Sequence, residues 1–205
     1  MKKWFAVTII ALVSTLSHAA DGWVAGELKE ASAQLDQRQF AQAFEICHNL
    51  LLIHRAAPLS RNAADEARFL LGAAGRRIKA GNPKLFSEEF LARAKRLNFV
   101  QAGCAWMPAE AKAQLSADAA SKLEKSTEVK VCSQCKGACV MDCPNCQDGK
   151  AKCIACNGTG RATGGGTFAR VTCPVCSGKG KSECTFCRGC GYVACPKCEG
   201  TGLSK

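Results

Sequence analysis

Histidine is nearly missing from this 205-residue chain: His18, His48 and His54 are the three it has. None follows the second cysteine of a Cys-x-x-Cys pair, where Lys136, Gln147, Asn157, Ser177, Arg188 and Glu199 stand instead. Attachment of a c-type haem is therefore excluded. Past the first twenty residues no stretch is apolar enough to span a bilayer. Acidic residues are also few, 17 against 28 Lys and Arg, giving a formal charge of +11. After Val131 aliphatic side chains become scarce, so the last third cannot build an ordinary core and something else must hold it.

The N-terminus carries an export pattern. Lys2-Lys3 forms a basic start, the run from Trp4 to Leu16 is apolar, and Ser17-His18-Ala19 supplies small residues for a signal peptidase. Residues 1–20 are expected to be a signal peptide cleaved after Ala19 or Ala20, with no membrane span once it is gone. The pair is Lys-Lys rather than twin arginine, so export of an unfolded chain is expected. The mature protein is then periplasmic or secreted.

The basic charge suggests nucleic acid, but two considerations argue against it. Lys2 and Lys3 leave with the signal, and between Ser126 and Lys205 eleven Lys/Arg stand against five Asp/Glu, a formal +6. Twelve thiolates around three divalent cations would cancel that excess. No nucleic-acid partner is expected.

From Trp23 to Lys125 the chain is rich in Ala, Leu and charge, with helical periodicity. Five helices are predicted. The first runs from Trp23 to Asp36, with Val24, Leu28, Ala31 and Leu35 on one face, and the second from Arg38 to Arg55. The third runs from Asn62 to Ala80, ended by Gly81-Asn82-Pro83, the fourth from Lys84 to Leu97, and the fifth from Pro108 to Lys125. The domain reading is a helical unit over 21–125, a linker over 126–131 and a cysteine-rich module over 132–202. Gln37-Arg38-Gln39-Phe40-Ala41-Gln42-Ala43-Phe44 looks like the turn and second-helix start of a tetratricopeptide repeat, and Leu71-Gly72 like part of its first helix. No 34-residue period runs through the segment, and an ordinary helix bundle fits equally.

Six Cys-x-x-Cys pairs fill the cysteine-rich module: Cys132/Cys135, Cys143/Cys146, Cys153/Cys156, Cys173/Cys176, Cys184/Cys187 and Cys195/Cys198. Mirror-related cysteines have position numbers summing to 329 or 330, so a single fold-back near Gly164-Gly165-Gly166 brings first pair to sixth, second to fifth and third to fourth. The predicted sites are Cys153, Cys156, Cys173 and Cys176 (site 1), Cys143, Cys146, Cys184 and Cys187 (site 2), and Cys132, Cys135, Cys195 and Cys198 (site 3). Four thiolates from two short knuckles suit a closed tetrahedral zinc site, and three zinc ions are expected. Iron–sulfur clusters match the ligand count but not the symmetric pairing. An oxidising compartment leaves open a version in which the same sulfurs form disulfides.

Three pairs carry the tail Asn157-Gly158-Thr159-Gly160, Ser177-Gly178-Lys179-Gly180 or Glu199-Gly200-Thr201-Gly202. This Cys-x-x-Cys-x-Gly-x-Gly repeat resembles the cysteine-rich zinc domain of the DnaJ (Hsp40) family, over roughly Cys132 to Gly202. The resemblance implies a long zinc-bound β-hairpin that assists binding of non-native polypeptide, here lengthened from four repeats to six. The family's His-Pro-Asp tripeptide is missing, so no J-domain and no Hsp70 partner is implied. Cys146, Cys135 and Cys187 are followed by Gln147-Asp148-Gly149, Lys136-Gly137-Ala138-Cys139 and Arg188-Gly189-Cys190, departures from the pattern.

Four cysteines are left over. Cys139 and Cys190 also sum to 329 and are expected to form a disulfide, with a free thiol or an alternate zinc ligand as the other reading; Cys47 and Cys104 are expected to form another disulfide, worth about 4 kcal/mol by loop-closure entropy. A plain buried thiol is the other reading of Cys47. The expected fold class is α plus a small β zinc module. The expected function is that of an exported zinc-binding protein that binds non-native or partner polypeptides, a chaperone-like or assembly factor with no catalytic residue. A thiol–disulfide oxidoreductase or isomerase is the enzymatic alternative, and a structural adaptor in an envelope complex the third reading.

Overall fold

The computed structural model describes residues 22–75, 78, 86–162 and 171–204. The expected signal peptide, the end of the third helix with Gly81-Asn82-Pro83, and the Gly164–Gly166 bend lie outside the described residues.

Among the described residues six helices and three two-stranded antiparallel sheets follow one another. They are α1 (22–36), α2 (Phe40–Ala56), α3 (Arg61–Gly75), α4 (Glu88–Arg96), β1 (Phe99–Ala102), β2 (Ala105–Pro108), α5 (Ala109–Ala113) and α6 (Ala117–Lys125). The strands β3 (Val140–Asp142), β4 (Lys150–Lys152), β5 (Lys181–Glu183) and β6 (Tyr192–Ala194) complete the chain. None of the helices is long and apolar enough to cross a membrane.

The helical half forms around α2. Val24 and Ala31 of α1 are buried as the periodicity predicts. Its neighbour Glu27 is buried too, because both its carboxylate oxygens accept from the Arg93 guanidinium at 2.7 and 2.8 Å, tying α1 to α4. The second helix starts at Phe40 rather than Arg38, since Arg38 sits in the left-handed region at φ 62. Along α2 the run from Ile46 to Ile53 is buried without interruption, so this helix is covered on all sides. The fourth helix begins later than Lys84. Ser87 is extended and caps it, accepting from the Phe90 N–H, while its own N–H and hydroxyl donate to the Glu45 carboxylate.

The predicted fifth helix is corrected. Pro108 ends β2, and the remainder divides into α5 and α6, broken where Ser116 caps the second piece by accepting from Ala119 N–H. The hairpin β1–β2, joined through Gly103 and Cys104, was not foreseen. It is held to α2 by Asn49, which is fully buried and both donates to the Trp106 carbonyl and accepts from the Trp106 N–H, each at 2.7 Å.

After Val131 the chain forms one ribbon that doubles back. It is paired at Val131 with Leu203, through β3–β6, then β4–β5, to Arg161 with Thr172. The ribbon rests on the helical half. Gly72 of α3 lies so close to the Tyr192 carbonyl and Val193 that a Cβ there would stand 3.0 Å from the Tyr192 oxygen. Cys139, Val140 and Ala194 join the core around α2 and α3, and Leu203 is buried among Leu52, Ile53, Met107 and Leu123. Arg68 pairs with Glu199 at 3.1 Å, and Arg188 lies 4.1 Å over the Phe69 ring.

Candidate metal centres

Five of the six knuckles make the same turn. The residue after the second cysteine and the glycine following it are both left-handed, as at Asn157 (φ 50) with Gly158 (φ 83) and Ser177 (φ 47) with Gly178 (φ 80). In the knuckle of Cys146 the turn moves one residue on, to Asp148 and Gly149, which accounts for its departing sequence. The second glycine of the tail does two jobs. The N–H of Gly160 donates to Cys156 Sγ at 3.2 Å, and its carbonyl accepts from Cys173 N–H at 2.9 Å. Gly180 does the same for Cys176 Sγ and Cys153 N–H, at 3.3 and 2.9 Å. A Cβ on Gly160 would fall 2.3 Å from the Gly178 carbonyl oxygen, so no larger residue fits.

The sulfurs gather as three tetrads: Cys132, Cys135, Cys195 and Cys198; Cys143, Cys146, Cys184 and Cys187; and Cys153, Cys156, Cys173 and Cys176. Within each, all four Sγ atoms lie within 4.8 Å of one another, and the closest cross-ribbon pairs are 3.6 to 4.0 Å apart. Four sulfurs at about 2.3 Å from a tetrahedral centre stand about 3.8 Å apart, whereas a disulfide needs about 2.05 Å. The spacing therefore fits a tetrahedral cation and not cross-ribbon disulfides. Eleven of the twelve residues are buried; Cys146 is the one half-exposed. Each tetrad could hold one metal ion.

The thiols of one tetrad differ in readiness to ionise. Burial pushes Cys156 up, but the Gly160 N–H and the neighbouring thiols outweigh it and bring it down to about 6. Its partner Cys176 is pushed up to about 11, mainly by burial. In the second tetrad Cys187 falls to about 7 despite burial, through the Gly191 N–H and its neighbouring thiols, while burial lifts Cys146 to about 12. In the tetrad of Cys132, Cys135, Cys195 and Cys198, burial is again outweighed at Cys132, which the backbone N–H groups of Cys135 and Gln134 help bring to about 7. Cys156, Cys187 and Cys132 are thus the thiols drawn towards ionisation near neutral pH, and binding of a cation favours the thiolate form.

The remaining cysteines are placed otherwise than expected. All sixteen are unbridged. The strand register pairs Val140 with Ala194 and Asp142 with Tyr192, and Cys195 N–H donates to the Cys139 carbonyl. Cys139 therefore stands opposite Cys195, and Cys190 lies beyond the other end of that ladder. The mirror centre of the cysteines is offset from the mirror centre of the strands, because each knuckle turns for four residues before pairing resumes. Cys139 itself occupies the place of the second tail glycine, left-handed at φ 64, with its thiol donating to the Gly137 carbonyl. Cys47 packs in the core of α1 to α4, and burial raises its thiol pKa; Cys104 belongs to the separate cluster with Leu123 and Leu203.

One polar contact between the halves was beyond sequence reasoning. His48, buried in α2, donates from Nε2 to the Thr201 carbonyl of the last knuckle at 2.9 Å, and burial lowers its pKa to about 4. No known protein family matches the chain, and neither does any curated protein or solved structure.

Proposed function

We propose that the three tetrads hold zinc and that the ribbon they lock presents apolar side chains to extended segments of other polypeptides, in an exported chaperone-like or assembly factor. The observation that carries this reading is where the ribbon's large apolar side chains stand. Ile154 is 95% exposed, Val175 64% and Phe186 60%. All three lie between the cysteines of a knuckle, so the turn that collects the sulfurs also holds them outward. Exposed apolar side chains on one ribbon are a candidate contact surface for another polypeptide. Zinc is favoured among cations because closed, all-thiolate tetrahedral sites are its structural preference. The DnaJ-like repeat supports the same reading, and the N-terminal export pattern supports a location outside the reach of Hsp70.

The test is suppression of aggregation of a chemically unfolded client, followed by light scattering. Wild type should suppress it, and an I154S/V175S/F186S variant with undiminished zinc content should not. A triple variant as effective as wild type overturns the reading. The enzymatic alternative is separated by reduction of insulin disulfides, where the proposed protein is inactive. The adaptor alternative is separated by recovery of one stoichiometric envelope partner in place of many unfolded clients.

A further inference from the structure

The last turns of α2 and α6 meet the sixth knuckle around a cavity of about 510 Å³, a volume within the range of small-molecule pockets. Its floor is apolar. Helix α2 supplies Leu51, Leu52 and Ala56, α6 supplies Leu123, and the segment after it supplies Val129. The first four are buried, so the floor is set by packing that exists without any ligand. Cys198, Glu199 and Thr201 of the knuckle form the remaining wall, so the docked ribbon completes the cavity.

The rim carries charge of one sign. His54 and Arg55 come from the last turn of α2, and Lys122 and Lys125 from that of α6. Glu199 is the one carboxylate in the lining, and Arg68 holds it at 3.1 Å. Lys122 pairs with Asp118 at 2.7 Å. Arg55 and Lys125 are exposed, and their side chains have no ion-pair partner among the described residues. His54 Nδ1 accepts from the Leu59 N–H at 2.9 Å, so the ring carries its proton on Nε2. A cation in a last turn suits its own helix end. Two such ends meeting over one apolar floor do more, because they place cations beside a preformed apolar surface.

The hydroxyls of the lining narrow the ligand further. Ser126 Oγ donates to the Leu123 carbonyl and accepts from the Cys104 N–H. Thr201 Oγ1 donates to the Cys198 carbonyl and accepts from the Leu203 N–H. Neither is left to pair with the amides of a bound peptide, whereas an alkyl chain needs no partner.

We propose that this cavity binds an alkanoate, a free carboxylate on an apolar chain. Arg55 and Lys125 take the carboxylate, and the chain lies on the floor of Leu51, Leu52, Ala56, Leu123 and Val129. A guanidinium offers parallel N–H donors to the two oxygens of a carboxylate, which favours that head group over a spherical anion. The site is distinct from the exposed side chains of the knuckles and does not rest on the polypeptide-binding reading.

The test is calorimetric titration of the full chain with octanoate, at low ionic strength and below its micellar concentration. Wild type should bind one octanoate, and acetate and octylammonium about tenfold more weakly or not at all. R55Q/K125Q should keep the wild-type melting temperature and bind octanoate about tenfold more weakly. K29Q/K95Q removes the same charge from exposed positions on α1 and α4 and should bind as wild type does. I154S/V175S/F186S should also bind as wild type does, which separates this site from the proposed polypeptide surface. No binding by wild type, equal affinity for octylammonium, or undiminished binding by R55Q/K125Q overturns the proposal. An equal loss in K29Q/K95Q does so too, since it would reduce the effect to net charge. Loss of binding in the knuckle variant would place the ligand on the ribbon and overturn it as well.

Discussion

The imidazole of His48 and the carbonyl of Thr201 join the most buried helix to the last knuckle across 2.9 Å. A carbonyl only accepts, so Nε2 carries the proton, and burial favours the neutral ring although this bond alone would favour the charged one.

Acid should therefore weaken the fold through this residue. Burial lowers His48 from 6.5 to about 4. The unfolded chain thus binds an extra proton between those values, and stability present above pH 6.5 is lost as pH falls towards 4. Between pH 7 and 4.5 the loss is about 2 to 3 kcal/mol. His48→Gln keeps a donor for Thr201 but does not titrate. Urea midpoints at the two pH values should differ less in the variant by that amount, and equal pH dependence would refute the assignment.

Arg93 and Glu27 form the buried ion pair of the helical half, their side chains 16% and 7% exposed. Removing one partner leaves a buried charge unpaired, so Glu27→Leu and Arg93→Met should each cost about 3 kcal/mol or more. The double variant should cost less than either single one, because it buries no orphaned charge. Chemical denaturation of all four chains closes the cycle, and additive costs would show that the pair is not coupled.

Gly160 tests the knuckle. Gly160→Val brings a Cβ against the Gly178 carbonyl oxygen, 2.3 Å away, at a left-handed φ of 74. It also disturbs the N–H bond to Cys156 and the carbonyl bond to Cys173, two cysteines of the tetrad formed with Cys153 and Cys176. That site should be lost and the other two kept, read as two zinc ions per chain by mass spectrometry. Retention of three would mean that the glycine tail is dispensable for metal binding.

The grouping of sulfurs was legible because cysteine spacing alone decides which pairs meet once the ribbon folds back. The strand register was not, because the knuckle turn adds residues that pair with nothing, and the Cys139–Cys190 disulfide was misplaced by that offset. The α1 stripe of Val24, Leu28, Ala31 and Leu35 was readable from period alone. The hairpin β1–β2 left a weaker trace: two short runs, Phe99-Val100 and Trp106-Met107, flank Gly103, which is left-handed at φ 59. Ser116 two residues before Asp118 was a cap signal inside the predicted fifth helix. Docking of ribbon on α3 had no signal, since Gly72 says nothing until its neighbour is known.

That docking is tested by Gly72→Val. The added side chain meets the Tyr192 carbonyl and the Val193 Cα, which are backbone and cannot turn away. Overpacking of this kind costs about 1 to 3 kcal/mol. No cysteine of a tetrad lies in α3, so metal content should stay at the wild-type value while trypsin cuts faster on the ribbon side of the contact. Loss of metal in step with proteolysis would show that the ribbon cannot fold by itself.

Chelation tests the opposite dependence. Residues 132–202 have sulfurs where a core would be, so stripping the metal should unfold the ribbon and release the strands carrying the exposed Lys150, Lys152 and Lys181 for cleavage by trypsin. The helical half keeps α2 and its own contacts, but loses the cover of Val140, Ala194 and Leu203. Leu203 alone, fully buried, contributes about 2 kcal/mol and the three together about 4. Two outcomes are therefore expected in one titration. Helical ellipticity and the emission of Trp23 and Trp106 should survive the chelator at room temperature, and the melting temperature of the helices should fall. Helices that melt together with metal release would mean the two halves are one cooperative unit, and that the ribbon is part of the core and not an appendage to it.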